Sequence, residues 1–439
     1  MSDRKIVDPS ILSGFMELLP REQLLFNEML DKIKNTYESF GFVPIDTPVI
    51  ERAEVLLAKS GGDTAKQVYR FNKGDNDLAL RFDLTVPLAR YVSMHYGELT
   101  FPFRRYHIGK VYRGEKPQKG RFREFYLCDI DIIGNGSLSV YNDAEIVGVI
   151  YNTFKALDLG DFTIMLNNRK LLSGFFAEYG VQDATEVLRC IDKLDKIGVK
   201  AVCEELASLG LTEEGVKATV KLAELCGEPD EIIGELRGWP IDNEQYRAGL
   251  EELAAVCGAI SAYGVPAGYF KLNLKIARGL DYYTGTVYET FLNGHPELGS
   301  VCSGGRYDEL ASNYTNQTLP GVGISIGLSR LFYQLNESKL LKESAAATPT
   351  RLLVVPMDDT VTYGLEVAAK VRRQGIPVET YLNGGKMSKK LNYANKLGIP
   401  FVAVCGSSEA ETGTVMLKNM VTGEQRAVGA DELGAAELS

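Results

Sequence analysis

Histidine is scarce: His95, His107 and His295 are the full set in 439 residues. A mechanism built on several histidine ligands, or on a histidine base beside a nucleophile, has little material here. The seven cysteines, Cys128, Cys190, Cys203, Cys226, Cys257, Cys302 and Cys405, form no Cys-x-x-Cys pair. An odd, scattered set argues against a disulfide framework and against structural zinc. No apolar run reaches the roughly 18–20 residues that span a bilayer, and Met1-Ser2-Asp3-Arg4-Lys5 lacks the apolar core of a secretory signal. The expected location is the cytoplasm, with no membrane partner. No Gly-x4-Gly-Lys-Ser/Thr loop is present, which argues against a P-loop nucleotide site. Nor is there an internal repeat of the 20–50-residue kind.

What is present is ordinary globular material, 45% hydrophobic and 24% charged. At about 100–200 residues per domain, the length predicts two to four domains. The net charge of −10 provides no global basic field for nucleic acid. One local field opposes that balance. Arg104, Arg105, Lys110, Arg113, Lys116, Lys119, Arg121 and Arg123 stand within twenty residues against Glu115 alone. This is either a solvated basic hairpin or a phosphate contact, and the acidity of the rest of the chain favours phosphate.

Helical spacing of Leu24, Leu25, Met29, Leu30 and Ile33 predicts a helix over about 21–37. Extended chain follows over 42–50. Alternation in Leu80-Arg81-Phe82-Asp83-Leu84-Thr85-Val86 predicts a strand with Arg81, Asp83 and Thr85 on one face. A second strand over about 125–133 puts Leu127, Asp129 and Asp131 on one face. An antiparallel sheet with one polar face follows, and that face is the candidate site. From 171 to 262 the texture is helical, with Leu188, Ile191, Leu194 and Ile197 at helical spacing. Asp242 with Gln245 reads as a capping box there. Strand character resumes over 269–291. Gly304-Gly305 and Gly321-Val322-Gly323 read as turns leading to a helix near Ile326. Residues 336–350 read as a linker. The tail then alternates, with strands at 351–356, 377–382 and 401–405 and helices at 364–373 and 389–397, a small α/β domain with largely parallel strands.

Two motifs mislead. The Gly321–Gly327 run is one residue too long for a dinucleotide fingerprint and opens no βαβ unit. His107-Ile108-Gly109-Lys110 and Lys386-Met387-Ser388-Lys389-Lys390 resemble the class I synthetase signatures, but the first lies in a strand-rich stretch and the second in the small C-terminal domain. The informative set is Arg81, Arg113, Arg121, Arg278, Arg306 and Arg330. Several guanidiniums on the polar face of one sheet are costly without an anion, and their forks match phosphate and carboxylate bidentately. A nucleotide-triphosphate site is the reading they support.

At these residues the chain resembles the histidyl-tRNA synthetase family of class II aminoacyl-tRNA synthetases, over nearly its whole length. Phe40-Gly41-Phe42-Val43-Pro44-Ile45-Asp46-Thr47-Pro48 is similar to motif 1, whose proline lies at the dimer interface. Val111-Tyr112-Arg113-Gly114-Glu115, followed by Gly120-Arg121-Phe122-Arg123-Glu124-Phe125, resembles motif 2. Gly321 to Arg330 resembles motif 3. Arg278-Gly279-Leu280-Asp281-Tyr282-Tyr283-Thr284-Gly285 and Ser303-Gly304-Gly305-Arg306-Tyr307-Asp308 resemble stretches particular to the histidine enzyme.

The resemblance implies an α/β chain whose α+β catalytic domain is an antiparallel sheet flanked by helices. That domain would occupy 1–170 and 266–335, interrupted by a helical insertion at 171–265. A linker at 336–350 would lead to an anticodon-binding domain at 351–439. It implies a homodimer that joins L-histidine to its tRNA through a histidyl-adenylate, with ATP as substrate and Mg2+ carried mainly on the ATP phosphates. Arg113 and Arg278 would be catalytic, holding the α-phosphate and the histidine carboxylate. Glu115 would meet the adenine amino group, with the ring between Phe125 and Arg330, while Arg121 and Arg330 take the outer phosphates. Asp83 and Thr85 would hold the α-amino group, Asp131 and Tyr283 the imidazole, with Tyr282 beside them. Lys116, Gln118 and Lys119 would reach the acceptor end of the tRNA, and Lys386, Lys389 and Lys390 its anticodon arm.

Two positions depart from the family pattern. Leu127 stands where a glutamine usually helps to hold the α-amino group, a loss of about 1–3 kcal/mol if nothing replaces it. Ser329 stands where class II enzymes often carry glutamate. The rival reading is a regulatory paralogue, such as the synthetase-like activator of ATP phosphoribosyltransferase. Such paralogues commonly lose the ATP-site arginines and the anticodon domain, and this chain retains both. An aminoacyl transferase acting on another acceptor would not need the C-terminal domain.

Overall fold

The computed structural model describes residues 7–58, 66–116, 119–181, 184–191, 194–276, 283–309, 311–341 and 346–438. The chain divides into two compact units, Met1–Met16 with Leu30–Leu341 and Glu17–Met29 with Lys342–Ser439.

The first unit is organised on a nine-stranded sheet among the described residues, in the order β1-β5-β6-β12-β11-β10-β7-β9-β8. Its middle is formed by β5 (Phe103–Tyr112), β6 (Glu124–Ile133), β10 (Thr286–Leu292), β11 (Cys302–Tyr307) and β12 (Gly321–Ile326), which pair with one another antiparallel. The edge strand β1 (Val43–Pro44) joins β5 in parallel, and β7 (Phe162–Asn168) pairs parallel with β9 (Phe270–Asn273). The short β8 (Cys226–Gly227) closes the far edge. The helix Tyr141–Leu157 buries Ile146, Val149, Ile150 and Phe154. This apolar stripe at helical spacing is what a sheet face requires. A three-stranded sheet, β2 (Ile50–Arg52), β4 (Asn76–Leu80) and β3 (Arg70–Lys73), stands beside it.

Several local expectations give way. The strand expected through Val86 ends at Leu80, and Thr85–Met94 is a helix. Asp83 Oδ1 accepts a hydrogen bond from the Val86 N–H at 3.1 Å, pinning the first helical turn. Short polar side chains at such positions compete with strand pairing. Gly304, Gly305, Gly321 and Gly323 lie inside strands, not in turns. A Cβ on Gly304 would collide with the Gly323 carbonyl, and one on Gly323 with the Ile130 carbonyl and the Asp131 side chain. Glycine here permits close packing of strands, not chain reversal. The helix expected near Ile326 begins at Leu328 and runs to Glu337, two residues into the expected linker.

In the helical stretch, the helix through Leu188 and Ile197 is two helices, Thr185–Ile191 and Leu194–Ser208, and the second is broken at Gly198 (φ 81°). The cap of Glu244–Ile260 is Asn243, whose side chain accepts from the Tyr246 N–H, not Asp242.

The second unit contains a five-stranded sheet in the order β14-β13-β15-β16-β17. Strands β14 (Val378–Thr380), β13 (Leu352–Pro356) and β15 (Phe401–Cys405) are parallel, but β16 (Thr414–Asn419) and β17 (Gln425–Gly429) add an antiparallel hairpin that the expected layout lacked. Leu352, Val354, Ala403, Val415 and Leu417 are buried together with Val367 and Val371 of the helix Val361–Arg373. No helix among the described residues is long and apolar enough to cross a membrane.

Candidate active site

One cavity of about 470 Å³ opens over the polar face of the central strands. That is within the size range of small-molecule sites. Strand β6 supplies Phe125, Leu127 and Asp129 from one face, β12 supplies Ser325 and β11 supplies Ser303. Asp83 and Thr85 enter from the turn before the Thr85–Met94 helix. Arg113, Glu115 and Arg121 come from the connection between β5 and β6, Tyr283 from just before β10, and Arg330 from the helix after β12. The family-implied residues within the described chain thus converge, apart from Asp131 and the lysines. Arg278, Tyr282 and Gln118 lie outside the described residues.

Guanidiniums and carboxylates line the same cavity. Arg113 is aimed by its own Nε, which donates to the Phe82 carbonyl at 3.0 Å, and its guanidinium stands 5.1 Å from the centre of the Phe125 ring. Arg121 lies 3.6 Å from Glu115 and is half exposed. Burial, and then repulsion from Arg121, lower the pKa of Arg330. Guanidiniums that destabilise one another in one cavity are relieved by an anion. Ser329 is buried, and its hydroxyl accepts from the Tyr126 N–H at 2.9 Å, tying the Arg330 helix to β6.

The carboxylates are the groups that burial disfavours in their charged form. Burial pushes Asp83 up to about 6, against the pull of the Val86 N–H, Arg113 and Arg105. Burial likewise pushes Asp129 up to about 7, with Arg105 pulling down and Asp131 and Asp83 adding to the rise. Carboxylates in that state are relieved by a cation.

Asp131 has other employment. It shares the β6 face with Asp129, yet it does not line the cavity. Arg105 is ion-paired to it, and Tyr307 donates its hydroxyl to Asp131 Oδ1 at 2.7 Å. Asp131 is thus held in a buried ion pair next to the cavity lining. Nor do Arg81 and Arg306 face the site. Arg81 donates to the Lys110 carbonyl at 2.9 Å and pairs with Asp46 at 3.2 Å. Arg306 clasps the fully buried Asp143 at 2.7 Å and donates to the Leu138 and Ser139 carbonyls.

Much of the basic cluster is also neutralised within the fold. Arg104 bonds Glu145 at 3.0 Å, Lys110 bonds Glu124 at 2.7 Å and Lys119 pairs with Glu337 at 3.0 Å. Lys116 is exposed. In the second unit Lys386 and Lys389 are exposed, whereas Lys390 is buried and donates to the Pro356 carbonyl at 3.2 Å. Burial removes Lys390 from the expected tRNA surface. Beneath the site, burial and the charges of Arg105 and Arg81 hold His107 down at about 3, so it is neutral at pH 7.

Sequence reasoning passed over Asp129, Ser303 and Ser325 as site residues. Strand alternation was the available signal for Asp129, since it groups this residue with Leu127. The serines lie in glycine-rich segments that read as turns.

Residues 14–331 match a family model for histidyl-tRNA synthetase, and residues 351–436 match one for an anticodon binding domain. A histidine–tRNA ligase of Clostridium tetani is 56% identical, with 98% of each chain covered. One from Clostridium acetobutylicum is 46% identical over 97% of this chain and 99% of that one. The crystal structure of histidyl-tRNA synthetase from a Nostoc species superposes with a TM-score of 0.89 at 40% identity, covering 97% of this chain and 98% of the other. An ATP phosphoribosyltransferase regulatory subunit/histidyl-tRNA synthetase from Bacillus halodurans, at 22% identity and a TM-score of 0.76, shares the fold. A cavity lined by guanidiniums and carboxylates, on this sheet and in a chain similar to these relatives over nearly its whole length, leads to one statement: the chain belongs to the histidyl-tRNA synthetase family.

Proposed function

We propose that the protein is a histidine–tRNA ligase that activates L-histidine with ATP and passes it to the terminal ribose of histidine tRNA. The observation that carries this is the lining of the cavity, whose arginines suit a polyphosphate and whose carboxylates suit an ammonium. In the first step an oxygen of the histidine carboxylate bonds to the α-phosphorus as the bond to pyrophosphate breaks. That carboxylate is already ionised at pH 7, so no protein nucleophile is needed. Alignment and charge neutralisation are what the chain must supply. In the second step a ribose hydroxyl of the tRNA bonds to the acyl carbon, loses its proton, and AMP departs.

Arg113 and Arg278 would neutralise the α-phosphate and orient the carboxylate. Arg121 and Arg330 would hold the outer phosphates, Phe125 and Arg330 would sandwich adenine, and Glu115 would accept from its amino group. Tyr283, with Tyr282, would lie against the imidazole, and Asp83 and Thr85 against the ammonium. Magnesium fits as a companion of the phosphates. The arginines of the cavity suit anions, and no group of three or more His, Cys, Asp or Glu suited to a metal occurs among the described residues. It would supply further charge neutralisation there.

The C-terminal unit would read the anticodon, with Lys386 and Lys389 on its surface, while Lys116, Gln118 and Lys119 would meet the acceptor end. A homodimer accords with the exposed Val43 and Ile50 in the segment that resembles motif 1. The regulatory alternative is disfavoured by the retention of Arg113, Arg121 and Arg330 around the cavity. Histidine-dependent ATP–pyrophosphate exchange, followed by charging of purified histidine tRNA, tests the proposal. Absence of exchange with histidine overturns it.

A further inference from the structure

Leu127 leaves a gap in the binding chemistry. It packs against Leu84, Val111 and Phe125 and is 8% exposed, so it offers apolar surface where an ammonium must be held. One cavity residue on the same strand face can fill that role. Residues two apart on a strand point the same way, about 6.6 Å apart, so Asp129 projects beside Leu127 into the same cavity. Its carboxylate is 3% exposed and bonded on one side to Ser325, its cross-strand neighbour in the β6–β12 register. Its Oδ1 has no hydrogen-bond partner among the described residues. A buried acceptor left unpaired costs about 1–3 kcal/mol, more when charged, and native folds rarely leave one so without reason.

The neighbours of Asp129 indicate what the missing partner is. From β5, Arg105 faces it but is committed to Asp131, and His107 is neutral. From its own strand Asp131, and from the turn before the Thr85–Met94 helix Asp83, add negative charge. From β12 and β11 come the hydroxyls of Ser325 and Ser303. Asp83 and Asp129 are thus two carboxylates of one cavity that repel one another, and the cation acting on both, Arg105, is ion-paired to Asp131. Of the groups on a histidine molecule, the α-ammonium is charged throughout the neutral range, whereas the imidazole, with an ordinary pKa near 6.5, is largely neutral.

We propose that Asp129 is a substrate-binding residue whose Oδ1 accepts a hydrogen bond from the α-ammonium of histidine, opposite Asp83, in place of the glutamine that Leu127 replaces. This rests on the histidine-ligase reading and deepens it. Asp83 and Asp129 flank the ammonium, Ser325 holds Asp129 in register, and Leu127 forms the apolar wall alongside.

The test uses the full-length protein with the isosteric Asp129→Asn and, should that variant not fold by thermal melting, the smaller Asp129→Ser. Histidine-dependent pyrophosphate exchange should show KM for histidine raised at least tenfold, with KM for ATP within twofold. Calorimetric titration without ATP should show the same loss for L-histidine but no change for imidazole-lactate, which has a hydroxyl in place of the ammonium. Leu127→Gln should recover at least threefold of the loss in the Asp129→Asn background. An unchanged histidine affinity in either Asp129 variant overturns the proposal, as does an equal loss for imidazole-lactate, which would turn Asp129 towards the imidazole. Independent effects of the two substitutions overturn the replacement of glutamine. If the parent binds histidine but catalyses no exchange, the ligase reading fails and the binding arm still decides Asp129. If it binds no histidine, both fail.

Discussion

At the scale of single residues, this site works by placing charges where water cannot relax them. Asp129 has an ordinary pKa near 3.9, and burial lifts it to about 7. The sign follows directly. Above that value the carboxylate is ionised and can hold an ammonium, and below it the group becomes neutral. KM for histidine should therefore rise as pH falls from 8 to 6, approaching tenfold per unit below the pKa. The substrate's own imidazole titrates in both enzymes, so the ratio of the parent and Asp129→Asn profiles isolates the contribution of Asp129. His107, held near 3, does not titrate in this window. A ratio independent of pH would show that Asp129 keeps its charge throughout.

Among the arginines of the cavity, burial and then repulsion from Arg121 disfavour the charge of Arg330. Arg330→Gln should raise KM for ATP by about 10–100-fold, the equivalent of one charge-assisted hydrogen bond of about 1.5–3 kcal/mol. KM for histidine should change little. Initial-rate exchange at varied ATP measures it.

At the scale of elements, buried polar contacts hold strands and helices in place. The Arg306–Asp143 pair joins β11 to the helix Tyr141–Leu157, and Arg306 also binds the carbonyls of Leu138 and Ser139. Arg306→Ala strands Asp143, whose side chain is fully buried. Breaking such a pair from one side costs about 3–5 kcal/mol. Denaturant unfolding should show that loss, and a midpoint equal to the parent's would rule out the pair as a structural tie.

Lys390 has the same kind of role in the second unit, fastening the helix Met387–Leu397 to the end of β13 through the Pro356 carbonyl. Lys386→Ala and Lys389→Ala should weaken tRNA charging without altering pyrophosphate exchange or stability. Lys390→Ala should lower the melting temperature instead. Side-by-side melting curves and charging rates separate the two groups, and a Lys390 variant with normal stability and impaired charging would reverse the assignment.

At the scale of the whole molecule, the two units carry separable tasks in the proposed function. The residues lining the cavity belong to the unit that contains Leu30–Leu341. A protein ending at Leu341 should retain histidine-dependent exchange while losing most tRNA charging. Normal charging by a folded truncation would give the C-terminal unit another task.

The residues determined some of this molecule without help from the fold. Alternation over Glu124–Ile133 marks a strand, and its polar face bears the cavity residues Leu127 and Asp129. Helical spacing before Tyr37 and the hydrophobic strands of the tail are equally local, because each element must bury one face. The motifs around Arg113 and Arg330 also point to a phosphate site.

What the sequence could not determine depends on partners far along the chain. Gly304 and Gly323 look like turn residues until Gly323 and Ile130 are seen to approach too closely for a Cβ. Asp131 and Asp129 are the same residue type on the same face, yet Arg105 and Tyr307 claim one while the other keeps an oxygen unpaired among the described residues. Lys390 differs from Lys389 only in facing the core. Period and propensity are local properties, whereas which charge is paired, and which remains for a ligand, is decided by tertiary neighbours in a medium that cannot screen them.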